Sequence, residues 1–108
     1  MELKQIETEE QFNEYLEKDR FLLIKHSLTC PVSGEAFDQY QKYIEEHSEV
    51  PTAYLAVQHA RPLSNYIAET FTIKHESPQA ILFEKGKPVW NESHWRITYD
   101  SLSEALQK

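Results

Sequence analysis

Cysteine is almost missing from this chain: Cys30 is the one thiol in 108 residues. A lone cysteine cannot close an internal disulfide, so the fold is not stapled and nothing marks the chain as secreted. Glycine is nearly absent too, with two residues, which excludes glycine-rich phosphate loops and flexible linkers. Positive charge is scarce: 11 Lys and Arg stand against 18 Asp and Glu, a net charge of −7. Nucleic acids and anionic membranes call for concentrated positive charge, so neither is expected as the main partner. No apolar run approaches the ~20 residues of a membrane span, and residues 1–7 lack the basic-then-apolar pattern of a signal peptide. A cytoplasmic location is the expectation. The five histidines show no paired spacing of a zinc site and Cys30 has no cysteine partner, so no metal site is expected either.

What is present suits one domain spanning residues 1–108. Chains of this length usually build a single core, and five Phe, six Tyr and two Trp supply its bulk. Residues 3–6 read as a short strand. Thr8 followed by Gln11 has capping-box spacing, and Phe12, Tyr15 and Leu16 then share one helical face. Residues 21–24 form a short apolar run bounded by charge, as a central buried strand requires. A second helix starts near Cys30-Pro31, since proline is favoured in a first helical turn. It carries Phe37, Tyr40, Tyr43 and Ile44 and ends near His47-Ser48.

Residues 52–57 read as a third strand, and Leu63, Tyr66, Ile67 and Phe71 as the apolar face of a third helix. Residues 80–83 are a fourth strand. Glu84-Lys85-Gly86-Lys87 is a hairpin turn leading into a fifth strand at Pro88-Val89-Trp90, whose proline points to a sheet edge. A last helix carries Tyr99, Leu102, Ala105 and Leu106, capped by Asp100 or Thr98. The order β-α-β-α-β-α-β-β-α predicts an α/β domain. Its strands run parallel through right-handed crossovers, with helices packed outside and an antiparallel strand added at one edge by the hairpin.

Cys30 lies where the central apolar strand gives way to the second helix, in Thr29-Cys30-Pro31-Val32-Ser33. Helix N-termini carry unsatisfied N–H groups and about half a positive charge, which favour a thiolate over a thiol. A lone cysteine is often just a small buried apolar residue. The helix start, the adjacent proline and the loop setting favour the reactive reading. Ser77-Pro78 precedes the fourth strand, and the topology puts Pro78 opposite the start of the second helix. An X-Pro bond there is able to be cis, which leaves the backbone at Ser77 to pair with an extended substrate; an ordinary trans proline opening a strand is the alternative.

These features resemble the thioredoxin fold. Thr29-Cys30-Pro31-Val32-Ser33 is similar to the C-P-x-S site of the monothiol bacilliredoxins, the YtxJ-like bacillithiol-system proteins of Gram-positive bacteria. Arg61-Pro62-Leu63-Ser64-Asn65, Lys74-His75-Glu76-Ser77-Pro78-Gln79 and Ser93-His94-Trp95 also resemble that family. The resemblance implies a thioredoxin-like domain with a mixed central sheet flanked by helices. It also implies an enzyme that removes bacillithiol from S-bacillithiolated proteins. Cys30 would be the nucleophile and bacillithiol a co-substrate, with no tightly bound cofactor and a monomer as the expected state.

Ser33 stands where dithiol redoxins carry a second cysteine. A hydroxyl has no sulfur with which to resolve a mixed disulfide, so resolution falls to a second bacillithiol or another redoxin. Ser33 remains able to donate a hydrogen bond to the Cys30 sulfur. Thr29, Pro31, Ser33, Ser77 and Pro78 are the supporting residues. His26, His75, His94 and Trp95 are candidates for substrate binding, the two later histidines toward the carboxylates of a bacillithiol-like ligand. Packing and solvation are the plainer readings of all four, and Arg61 and Asn65 read as structural, holding the loop that presents Pro78. Two other function classes stay open: a thiol peroxidase, for which no arginine lies near Cys30 in sequence, and a non-catalytic stress sensor or binding module of the same fold.

Overall fold

The apolar run 21–24 lies within the middle strand of the sheet. The computed structural model describes residues 4–28, 31–47 and 50–106. Its elements are β1 (Lys4–Gln5), α1 (Glu9–Leu16), β2 (Arg20–His26), α2 (Pro31–Glu46), β3 (Thr52–Ala56), α3 (Arg61–Phe71), β4 (Gln79–Glu84), β5 (Lys87–Ser93) and α4 (Tyr99–Leu106), with one 3₁₀ turn at His94–Arg96. The five strands are ordered β1-β3-β2-β4-β5. β1 and β2 run parallel to β3, whereas β4 runs antiparallel to both β2 and β5.

The direction of β4 corrects the expectation that only the hairpin strand would be antiparallel. Gln79, at the start of β4, pairs with Lys25 near the end of β2. An 11-residue helix such as α3 advances only ~16 Å. The six residues 73–78 span up to ~20 Å when extended, enough to bring the chain back to the end it left. The edge assignment for Pro88 holds: β5 is the outermost strand, and the register slips by one residue beside Pro88. In the hairpin turn Lys85 and Gly86 both have positive φ, 53° and 81°, the backbone of a two-residue type I′ turn.

Alternate residues of β2 feed two cores. Phe21 and Leu23 join Phe12 of α1 with Leu63 and Ile67 of α3. Leu22 and Ile24 join Tyr40 and Ile44 of α2 with Leu102 of α4. A strand covered on both faces needs an unbroken apolar run rather than alternation, which is why 21–24 reads as it does. The Tyr40 hydroxyl, fully buried, reaches the carbonyls of Leu22 and Ala53 at 2.8 and 2.9 Å and fixes α2 across β2 and β3.

Both helix-start readings at the ends of the chain can be checked in detail. Thr8 and Gln11 form the reciprocal capping box. For α4 the cap is Thr98: its Oγ1 accepts from the Ser101 amide at 3.0 Å, while Asp100 sits inside the first turn. Leu3 and Ser48, read as the ends of a strand and a helix, lie outside the described residues.

Candidate active site

Three element ends converge at one edge of the sheet. β2 ends at His26, β4 begins at Gln79 beside Lys25, and α2 begins at Pro31. Thr29 and Cys30 lie outside the described residues, between Leu28 and Pro31. α2 is 16 residues long and has no acidic side chain in its first turn. The partial positive charge of its N-terminus is therefore not offset locally. Pro31 is exposed at the helix start and Ser33 is fully buried.

The approach to α2 is held by side chains. The Ser27 amide donates to Ser33 Oγ at 3.2 Å, and the Leu28 amide donates to Gln58 Oε1 at 3.0 Å. Gln58 Nε2 in turn donates to Ser27 Oγ at 3.0 Å. Ser33 thus fastens the loop to the helix, and Gln58, from the turn after β3, fastens it to the sheet. Leu28 is left half-exposed at this edge.

The Ser77–Pro78 peptide bond is cis, and Pro78 is buried. The Pro78 carbonyl accepts from the His94 amide at 3.0 Å. The Ser93 side chain, and after it the nearby His94 charge, holds the Glu76 carboxyl below the usual range. The segment before β4 and the segment after β5 are therefore tied together. His94 has a positive φ of 55°, and it opens a groove of about 140 Å³ whose other walls include Glu35 and Gln39 of α2, Trp95 and Thr98. Trp95 is 68% exposed, the most exposed large apolar side chain among the described residues.

Polar atoms without partners gather here. Among the described residues five buried side-chain polar atoms lack a hydrogen bond, and three of them are His26 Nδ1, Ser77 Oγ and Gln79 Oε1. Buried polar groups are nearly always satisfied by protein or ordered water, and three of these five lie at the shared end of β2 and β4. His26 faces α2: its ring lies 4.5 Å from the Phe37 ring, and burial lowers its pKa, with the Ser33 backbone opposing that shift.

The other face of the same strand end carries a buried lysine. Lys25 Nζ lies 3.2 Å from the Ser64 carbonyl and 3.4 Å from His75 Nδ1, and Ser64 Oγ is 3.1 Å from the same nitrogen. Burial drops the Lys25 pKa to about 8. His75 is pushed down as well, by its own burial and then by the positive charges of Lys25 and Arg61.

The structure thus brings Pro31, Ser33, Ser77, Pro78, His26, His75 and His94 to one end of the sheet, with Trp95 on its rim. Arg61 and Asn65 are exposed; the buried Ser64 between them brings its Oγ to 3.1 Å from His75, and the Arg61 charge acts on the same ring. Lys25, Gln58 and Ser64 had no separate signal in the sequence. The one available hint was a lysine extending an apolar strand, where a solvated charge is out of place.

Comparisons with known proteins agree with this geometry. A solved structure described as a proposed oxidoreductase with a thioredoxin fold is 40% identical, with a TM-score of 0.91 over 96% of this chain and 93% of its own. Thioredoxin from Trypanosoma brucei brucei is 13% identical with a TM-score of 0.81, covering 99% of this chain and 93% of its own. Thioredoxin f2 from Chlamydomonas reinhardtii is 15% identical with a TM-score of 0.78, covering 98% and 94%. These last two show the fold alone. The family model for monothiol bacilliredoxin BrxC matches residues 2–102. With nearly its whole length matched and a thioredoxin fold, the chain belongs to the monothiol bacilliredoxin family, whose chemistry is thiol redox exchange.

Proposed function

We propose that this protein removes bacillithiol from S-bacillithiolated proteins, using Cys30 as its only nucleophile. The observation that carries the reading is the pairing of a single thiol at the start of α2 with a buried serine, Ser33, three positions on. The Cys30 thiolate attacks the bacillithiol sulfur of the mixed disulfide. The target cysteine leaves as a thiolate, and a Cys30–bacillithiol disulfide forms. The thiolate of a second bacillithiol, or of another redoxin, then attacks that disulfide and returns Cys30 to its thiolate. Each step forms one S–S bond and breaks one. Bacillithiol is a co-substrate rather than a bound cofactor, the partners are S-bacillithiolated proteins, and the setting is the cytoplasm with the protein as a monomer.

The surrounding residues support this reading by their chemistry. The uncompensated N-terminus of α2 favours the thiolate. The orphaned Ser77 hydroxyl is available to an incoming polar group. His94 and Trp95 border the groove beside α2, where a low-molecular-weight thiol has one polar and one apolar wall. The test is turnover of an S-bacillithiolated protein against an S-glutathionylated control. Preferred release of bacillithiol, abolished in Cys30→Ser, is expected. Equal rates on both substrates would refute the bacillithiol assignment, and turnover retained in Cys30→Ser would refute the mechanism.

A further inference from the structure

Lys25 is fully buried, and among the described residues no carboxylate pairs with it: the one salt bridge there joins Arg20 and Glu84. An uncompensated buried ammonium is costly, so its position needs a reason. Its neighbours supply one. Lys25 Nζ, at 3.4 Å, and Ser64 Oγ, at 3.1 Å, both lie within hydrogen-bond distance of a single atom, His75 Nδ1. An ammonium has three donors and no acceptor. Burial lowers the Lys25 pKa to about 8, which still lies above neutral. An ammonium 3.4 Å from Nδ1 favours that nitrogen as the acceptor, with the ring proton of a neutral His75 on Nε2. The charged groups facing this ring are Lys25 from β2, Arg61 from α3 and Glu76 from its own segment. Two cations to one anion oppose an imidazolium.

His75 stands two residues before the Ser77–Pro78 bond and is half-buried, with Nδ1 turned to the interior. We propose that Lys25 and Ser64 hold His75 as the neutral Nε2–H tautomer, so that Nε2–H is a fixed hydrogen-bond donor to an oxygen acceptor of the substrate, and Lys25 is a positioning residue acting through it. The part concerning substrate rests on the proposed function; the tautomer does not. Neutrality matters for the site. A donor that stays uncharged does not change its attraction for an anionic substrate as pH passes through the ordinary histidine range.

The test has two arms. In the intact protein, ¹⁵N NMR of the imidazoles is expected to show His75 with a protonated Nε2, a bare Nδ1 and a pKa below the ordinary ~6.5. A protonated Nδ1, or titration at or above that value, would overturn the proposal without touching the proposed function. In Lys25→Met the His75 pKa is expected to rise and both tautomers to appear. KM for the S-bacillithiolated protein should rise roughly 3- to 10-fold, the scale of one net hydrogen bond, with kcat little changed. In a His75→Ala background Lys25→Met should have no further effect on KM. An equal loss in that background would assign Lys25 a purely structural role and refute the positioning. If Lys25→Met fails to fold, Ser64→Ala serves the same cycle, and the ¹⁵N measurement on the unaltered protein still decides. Absence of turnover in the unaltered protein, with the expected tautomer seen, would sink the proposed function and leave the tautomer standing.

Discussion

Ser33→Ala separates what the serine does for the fold from what it does for the sulfur. Ser33 Oγ accepts the Ser27 amide at 3.2 Å in a fully buried setting. Alanine removes the acceptor and leaves that amide without its partner. A typical bond of this kind contributes ~1 kcal/mol, and an orphaned buried donor costs ~1–3 kcal/mol. The bond is long and Gln58 still holds the neighbouring Ser27 Oγ and Leu28 amide, so a loss of about 1–2 kcal/mol is expected. For a domain of this size, 1 kcal/mol lowers Tm by ~4–8 °C, which gives a fall of roughly 4–16 °C by circular dichroism. The chemical effect is separate. If the hydroxyl also donates to the Cys30 thiolate, one charge-assisted bond of ~1.5–3 kcal/mol is lost. At ~1.4 kcal/mol per unit the Cys30 pKa then rises by about two units or less, while the helix N-terminus retains its share. Release of bacillithiol should slow but survive. An unchanged Tm would refute the fastening role of Ser33. Complete loss of turnover in a folded Ser33→Ala protein would refute its exclusion from bond exchange.

Iodoacetamide alkylation of Cys30 against pH should give a midpoint clearly below the free-thiol value of ~8.5, because α2 has no acid in its first turn; a midpoint at or above that value refutes the helix-terminus argument. Lys25 makes folding stability depend on pH in a definite direction. Its pKa is about 8 when folded against 10.5 for the ordinary side chain, so between these values the unfolded chain binds more protons and stability rises with pH. Urea unfolding should therefore show Lys25→Met ahead of the unaltered protein by about 1–3 kcal/mol at pH 7, with the gap closing toward pH 10; a gap independent of pH would show that Lys25 is not titrating from a buried position.

The local signals in this chain are strong where a single element satisfies them. Thr8 and Gln11 define a helix start because both partners lie within one turn. Lys85-Gly86 defines a hairpin because the turn geometry is set by adjacent residues. The run 21–24 announces a strand buried on both faces, and Cys30-Pro31 a thiol at a helix start, with Ser33 in place of a second sulfur. Element order and these spaced motifs were enough for the thioredoxin-like fold and the family. The tertiary structure decided what depends on distant partners. The direction of β4 follows from where the segment 73–78 delivers the chain, which no residue in β4 encodes. That Ser64 is the buried residue of α3 set against His75 depends on which face of α3 is turned inward. Lys25 reads in sequence as the charged end of a strand. Only packing on both faces of the sheet buries it beside Ser64 and His75, residues 39 and 50 positions away, because burial and electrostatic environment are properties of the assembled layers.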